Sequence, residues 1–281
     1  MIFVACFNSG FYQQFWVINM KNTHFITVCF LAISLLLAAS CSDDSPTKPS
    51  ADKTYLPTTN GTYWLSEVYT LDTNGRLDTQ PYYDSLIVSG TETKLEKLAN
   101  VFNGFISQNR SQWSANRTEY YYIERNKIYT HSDIFKSIFG LKLDEANFDL
   151  PIEYPNEWYL FIDPNSNSWQ IDTLILSDIP IELLGTTRSV DATIIIRGSK
   201  GNTETVTFKG QQYTAQIFNI EFSLDGKIDK LLPVKISRKL SLWMVDGLGF
   251  FKTKNEAFIV PYINYMVLGM ERYLIDFHKG E

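Results

Sequence analysis

Val234-Lys-Ile-Ser-Arg-Lys-Leu-Ser-Leu-Trp-Met244 alternates apolar and polar side chains almost without a break. Val234, Ile236, Leu240, Leu242 and Met244 share one parity, Lys235, Ser237, Lys239 and Ser241 the other, and only Arg238 departs from the rule. Successive side chains of a strand point to opposite faces, so this stretch reads as a half-buried β-strand. Working outward, turn signals recur at sheet spacing. Asn74-Gly75 separates Tyr63–Leu71 from Leu77 onward, Gly198 to Asn202 separates Ile194 from Val206, and Asp225-Gly226 precedes Leu231. Tyr120 to Ile123, Arg125-Asn126 and Lys127 to Tyr129 form a further hairpin pattern, and Tyr273, Ile275 and Phe277 a closing strand. Parallel strands need long crossovers, and no helix-length spacer repeats, so the hairpins imply antiparallel pairing. The expected fold is all-β: mainly antiparallel sheet, curved or half-open and barrel-like, with at most one or two short helices.

Residues 94–107 pull the other way. Leu95, Leu98, Ala99, Phe102, Phe105 and Ile106 recur at helical spacing, and Thr93 with Glu96 has the form of a capping box. Periodicity alone predicts a helix there.

The N-terminal region carries an address. Met20-Lys-Asn-Thr-His24 is followed by an apolar run from Phe25 to Ala39 and then by Ser40-Cys41, the layout of a lipoprotein signal peptide. The run is shorter than the ~20 residues a membrane-spanning helix needs. Cleavage between Ser40 and Cys41 leaves Cys41 as the lipidated first residue. Leu37 stands four residues before Cys41 instead of the usual three, with Ala38 in its place. Residues 1–19 contain no basic residue, whereas a signal peptide needs positive charge before its apolar core, so translation is expected to start at Met20, with 1–19 a mis-annotated upstream extension. The expected organisation is thus 1–19 extension, 20–40 signal peptide, 41–54 lipidated cysteine and flexible tether, and 55–281 a single β-rich domain. The tether is polar and punctuated by Pro46 and Pro49, a composition unable to bury enough to fold.

Charge and cysteine usage exclude several classes. The chain carries a net charge of −6, and loss of residues 1–40 removes one basic residue, Lys21, and no acidic one. An acidic surface without a basic patch argues against nucleic acid as a partner. Cys6 and Cys29 fall before the cleavage point and Cys41 is acylated, which leaves no thiol for disulfides, thiolate metal sites or nucleophilic catalysis.

Tyr55-Leu-Pro-Thr-Thr-Asn-Gly-Thr-Tyr-Trp64, Val88-Ser-Gly-Thr91 and Leu242-Trp-Met-Val-Asp-Gly-Leu-Gly-Phe-Phe-Lys252 resemble the opening, middle and late motifs of uncharacterised β-rich outer-membrane lipoproteins of the Bacteroidota type. Thr58 replaces their usual Leu. The resemblance implies an antiparallel sheet, no established activity, and a strand at 94–107. Ser42-Asp43-Asp44 resembles the short acidic export signal of surface lipoproteins of that group.

Candidate chemistry is sparse. Gly247-x-Gly249 lacks the third glycine and the following helix of a dinucleotide loop and reads as a hairpin or bulge pair. Asp163, Asn165 and Asn167 copy the first half of a calcium loop, but Ser168 and Leu174 stand where glycine and the bidentate glutamate belong, so an Asx-rich turn is the expectation and calcium the weak alternative. His131 and His278 have no partner at ligand spacing, and Asp144-Glu145 would point to opposite faces of a strand. Trp64, Trp113, Trp158, Trp169 and Trp243, with Tyr82, Tyr83 and Tyr120 to Tyr122, supply either core or a sugar-stacking or lipid-holding surface. Asp84-Ser-Leu86 and Asp172-Thr-Leu174 match a loose O-glycosylation pattern.

The sequence therefore predicts an outer-membrane lipoprotein, facing the periplasm or the cell surface, that acts as a non-enzymatic binding or structural module with no cofactor and no catalytic residue. Its predicted partners are the membrane, through the lipid on Cys41, and the lipoprotein signal peptidase and sorting machinery. The alternative is an envelope hydrolase acting on glycan or lipid with dispersed carboxylates.

Overall fold

The computed structural model describes residues 53–77, 80–132, 141–143, 148–150, 152, 154–183, 185–262 and 265–281. Every element with described bounds is a strand: β1 (Tyr63–Asp72), β2 (Gly75–Arg76), β3 (Tyr82–Lys94), β4 (Lys97–Ser107), β5 (Ser114–Glu124), β6 (Lys127–His131), β7 (Leu141–Leu143), β8 (Phe148–Leu150), β9 (Trp158–Ile162), β10 (Ser168–Leu183), β11 (Thr186–Phe208), β12 (Gln211–Ile228), β13 (Leu232–Val245), β14 (Gly249–Asn255), β15 (Phe258–Val260), β16 (Tyr265–Val267) and β17 (Gly269–His278). The expectation of an all-β, mainly antiparallel fold holds.

Burial follows the alternation that predicted it. In β13 Val234, Ile236, Leu240, Leu242 and Met244 are buried while Lys235 and Ser237 are exposed. In β12 Phe218, Ile220, Phe222 and Leu224 face the core, separated by Asn219, Glu221 and Ser223. Burying a Phe or Ile side chain completely contributes about 1.5–3 kcal/mol, so these rows set the register. Arg238 stays half-buried; desolvation pushes its guanidinium down to about 10, and its Nε donates to Asn255 Oδ1 at 3.0 Å.

One sheet of 13 strands runs β10-β11-β12-β13-β14-β17-β1-β3-β4-β5-β6-β9, with β2 beside β1 and every pair antiparallel; β7–β8 and β15–β16 are separate hairpins. This order is a meander bent into a circle. First and last strands pair along most of their length, from Tyr63↔His278 to Leu71↔Gly269. The two ends of the path, β9 and β10, are consecutive in sequence and meet at the Asp163–Asn167 turn, where Trp169 Nε1 donates to Leu160 O at 3.1 Å. No ladder joins them among the described residues, so the curved sheet is a half-open barrel.

Two expected turns are strands instead. Gly198 to Asn202 lies inside β11, with a bulge between Lys200 and Thr203, and Asp225-Gly226 lies inside β12. These glycines make room and do not turn the chain. A Cβ on Gly198 would lie 1.9 Å from the Trp169 indole, and one on Gly226 2.4 Å from Asp191 O. The chain reverses at Lys209-Gly210 and Asp229-Lys230, where both residues of each pair have positive φ, as hairpin turns matching the sheet twist require. Arg125-Asn126 turns as expected, and so does Asp72–Gly75, where Asp72 Oδ1 accepts from the amides of Asn74 and Gly75.

The helical spacing of 94–107 is overruled. Leu95 (φ 47°) and Glu96 (φ 62°) form a two-residue turn between β3 and β4. In the resulting strand Ala99 and Phe102 are buried, whereas Leu95 and Leu98 are exposed. The partner strand decides, because pairing satisfies the backbone of both strands while burying Ala99 and Phe102, whereas an amphipathic helix of this length is marginal without a surface to pack on.

The motif segments converge. Trp64 Nε1 donates to Leu248 O at 2.5 Å, between Gly247 and Gly249, and a Cβ on Gly249 would meet Trp64 at 3.1 Å and Pro57 at 3.3 Å. Gly61 N donates to Val88 O at 2.8 Å. These motifs build one junction, and Gly247-x-Gly249 is the expected hairpin pair, with φ of 76° and 82°. Thr54 joins the same junction through Asp246 Oδ1 at 2.7 Å and the Gly247 amide at 2.9 Å.

Candidate functional site

Inside the curved sheet is a cavity of about 230 Å³. Leu240, Leu242, Phe250, Phe161 and Met270 line it together with four charged groups, Asp84, Arg117, Glu119 and Arg272. Asp84 points inward because it shares parity with Leu86 and Val88, both buried in β3. Arg272 shares the inward parity of Leu274 in β17, and Glu119 that of Tyr121 in β5.

Arg117 is on β5 and Asp84 on β3, with β4 between them. Arg117 crosses because its neighbour on β4 is Gly104. A Cβ there would stand 2.7 Å from Arg117 Cγ and 2.8 Å from Nη1. The guanidinium thus reaches Asp84 with both ends, Nη1 to Oδ1 at 2.6 Å and Nη2 to Oδ2 at 3.1 Å, the bidentate geometry that planar fork and carboxylate share. Its Nε donates to Glu119 Oε1. Glu119 Oε2 accepts from Tyr121 OH at 2.7 Å, and Arg272 Nη2 lies 3.2 Å from Asp84 Oδ2. Arg272 Nε is buried with no acceptor among the described residues.

Two guanidiniums face two carboxylates. Burial alone would raise the Asp84 carboxyl, but Arg272 and Arg117 overcome it and hold the group below the usual carboxylate range. Burial disfavours charge on Arg117, yet Glu119 and Asp84 outweigh it and keep the guanidinium firmly protonated. Burial first, then Glu119, pushes the Tyr121 phenol well above its ordinary value, so it stays a neutral donor.

Of the residues singled out by sequence, Ser40, Cys41, Ser42-Asp43-Asp44 and Asp144-Glu145 lie outside the described residues. Asp163 makes an Asx-type turn: Oδ1 accepts from Asn165 N at 3.0 Å and Oδ2 from Ser166 Oγ at 2.9 Å, while Lys127 Nζ lies 2.9 Å from Oδ2. An ammonium ion therefore already neutralises that carboxylate. Among the described residues no group of three or more His, Cys, Asp or Glu gathers as a metal site. His131 Nε2 is 2.7 Å from Asn156 Oδ1, and His278 stacks on Tyr63 far from the cavity charges.

The tryptophans divide. Trp64 and Trp169 are core, Trp113 is exposed, and Trp243 on the outer face donates to Glu204 Oε2 at 2.7 Å beneath Lys252. Tyr122 stacks on Tyr129 at 4.4 Å and meets the edge of Trp158 at 4.9 Å, so those rings cover one another. Tyr82 and Tyr121 line the cavity. Of the two glycosylation matches, Ser85 is half-buried within β3 and Thr173 is exposed on β10.

Fold and site together define an all-β protein: a half-open antiparallel barrel around an amphipathic, charge-balanced cavity. No family model matches the chain, and neither does any curated protein. Among solved structures it is similar to a proposed lipoprotein of Parabacteroides distasonis, at 14% identity over 80% of this chain and 99% of that one, with a TM-score of 0.45. It is also similar to a proposed exported protein with a YmcC-like fold from Bacteroides fragilis, at 12% identity over 81% and 100% of the two chains (TM-score 0.41), and to the hypothetical lipoprotein YmcC of Escherichia coli, at 11% identity over 76% and 84% (TM-score 0.28).

Proposed function

We propose that this protein is an outer-membrane lipoprotein, anchored through Cys41, whose barrel holds a ligand without turning it over. The anchor rests on the signal-like segment ending at Ser40-Cys41. Lipidated cysteine carries more than one acyl chain, enough for stable attachment at about 0.8 kcal/mol per buried methylene. The non-enzymatic reading rests on one observation: Arg117 locks Asp84 and Glu119 together. Both carboxylates grip one guanidinium, so they lie within the ~10 Å that glycoside-hydrolysing pairs span. That proximity is what favours the alternative, an envelope hydrolase. A general acid at neutral pH, however, needs a raised carboxyl pKa, and Asp84 is held low.

Cys41→Ser, expressed beside the natural chain in cells fed labelled palmitate, tests the anchor. The variant should remain an unprocessed precursor without label, and equal labelling of both chains would refute the assignment. Proteinase treatment of intact cells assigns the face: degradation indicates surface display, directed by Ser42-Asp43-Asp44, and protection the periplasmic side. Turnover of a glycan or ester substrate that is lost in Glu119→Gln would overturn the non-enzymatic reading.

A further inference from the structure

We infer that the β15–β16 hairpin and the neighbouring β12–β13 turn form an apolar lobe that dips into the lipid surface of the membrane carrying the anchor. This rests on the anchoring through Cys41 proposed above, which brings a bilayer within reach, and adds a second point of contact.

The lobe begins in the sequence. Residues 257–268, Ala-Phe-Ile-Val-Pro-Tyr-Ile-Asn-Tyr-Met-Val-Leu, contain no charged side chain, although charged residues make up 20% of the whole chain. Strand alternation hides half of such a segment and turns the other half to water. Phe258, Val260, Tyr265 and Val267 pack against the core, whereas the cross-strand partners Ile259 and Met266 are exposed. On an ordinary surface hairpin those outward positions would be polar. Tyr262 OH donates to Pro233 O and ties the hairpin to Leu231-Leu232-Pro233, where Leu231 is 81% exposed. Large apolar side chains from two segments thus share one surface, and contiguous apolar surface marks an interaction site.

The tether selects the occupant. It enters at Thr54, beside Gly247 at the β13–β14 turn. Leu232 lies at the far end of β13, whose 14 residues span about 45 Å at ~3.3 Å per residue. Residues 42–53 reach about 40 Å when extended, so the tether nearly matches that length and lets the lobe meet the lipid surface that holds the anchor. Anchoring presents that surface at a high effective concentration, an advantage a free partner lacks. Lys227, Lys230 and Lys235 stand exposed beside the two leucines. The pairs Lys230–Asp178 and Lys235–Asp225 are largely exposed and hold loosely, which leaves the ammonium groups able to reach lipid phosphates while the apolar side chains go deeper.

The test uses the full lipidated chain, which has no free thiol once Cys41 is acylated, so Ile259→Cys, Leu231→Cys and Leu98→Cys each accept one environment-sensitive fluorophore. Leu98, 67% exposed, is the control, because β3 runs away from the lobe, from Tyr82 opposite Val68 to beyond Ile87 opposite Tyr63, before turning into β4. The chains are placed in vesicles of phosphatidylethanolamine and phosphatidylglycerol that carry spin-labelled acyl chains. Labels at 259 and 231 should be quenched at least about threefold more than the label at 98, as expected of an apolar face buried ~5–10 Å into the interface. Leu231→Asp should reduce quenching at 259 by a similar factor without lowering the melting temperature, since that side chain is already in water. Quenching no stronger at 259 and 231 than at 98, or unchanged by Leu231→Asp, would overturn the proposal. Energy transfer between labelled copies without quenching by lipid would also overturn it and assign the lobe to a second copy. With vesicles in excess the lobe is judged even on chains that mass spectrometry shows to lack the lipid on Cys41, so failure of the anchor is told apart from failure of the lobe.

Discussion

Replacing Asp84 with alanine should destabilise the protein by about 3 kcal/mol. Asp84 is 3% exposed, Arg117 18% and Arg272 23%, so removal of the carboxylate strands two mostly buried guanidiniums with Glu119 alone between them. Breaking a buried pair from one side costs ~3–5 kcal/mol, and the lower end applies because both arginines retain some solvent. At roughly 2–4 °C per kcal/mol for a domain of this size, the melting temperature should fall by about 6–12 °C in thermal melts followed by circular dichroism. Asp84→Ala combined with Arg272→Met removes the excess charge and should recover at least half of the loss, a coupling that a double-mutant cycle measures directly. The pH dependence has a definite sign. The folded-state pKa lies below the ordinary 3.8, so the contribution of Asp84 is complete above about pH 5 and disappears as pH falls through the depressed value. The natural protein should therefore progressively lose its advantage over Asp84→Ala as pH falls below the ordinary carboxylate value. A variant melting within about 2 °C of the natural protein at pH 7, or a double variant less stable than Asp84→Ala, would refute the reasoning.

Other outcomes follow from the same structure. Gly198→Val drives a side chain into the Trp169 indole and should cost at least about 1–3 kcal/mol, visible as a lower denaturation midpoint with an unchanged slope. Lys230→Gly relieves a φ of 60° at an exposed turn and creates an Asp-Gly pair; chemical denaturation should show a gain of about 0.5–1 kcal/mol. Melting should be indifferent to EDTA and dithiothreitol, and an EDTA-induced drop would instead assign a cation to Asp163, Asn165 and Asn167.

The sheet was legible wherever burial alone sets the pattern. Val234 to Met244 alternates because β13 has one face on the core, and the outcome matches residue by residue up to Arg238. Turns were legible less often, because several of them reverse without glycine. Leu95-Glu96 and Asp229-Lys230 adopt left-handed φ without one, at a conformational cost repaid by the ladders on either side. Glycine elsewhere marks a neighbour's bulk: Gly198 answers Trp169, and Gly104 answers Arg117. The cavity charges were half visible. Asp84, in register with Leu86 and Val88, announces an inward carboxylate. Its partners were hidden, since Arg272 lies 188 residues from it along the chain and Arg117 reaches it only across a third strand at a bulged register.

The circular strand order has a consequence for the order in which the protein is made. The slit of the barrel falls in mid-chain, between β9 and β10, whereas the seam that holds its halves together pairs β1 with the 10-residue β17. A ribosome or export channel releases β1 first and β17 last. Until then β1 and β14 both present bare edges, the surfaces on which sheets aggregate. The final strand acts as a latch, so a chain truncated before Gly269 should be insoluble even though nearly all of its core-forming sequence has been synthesised.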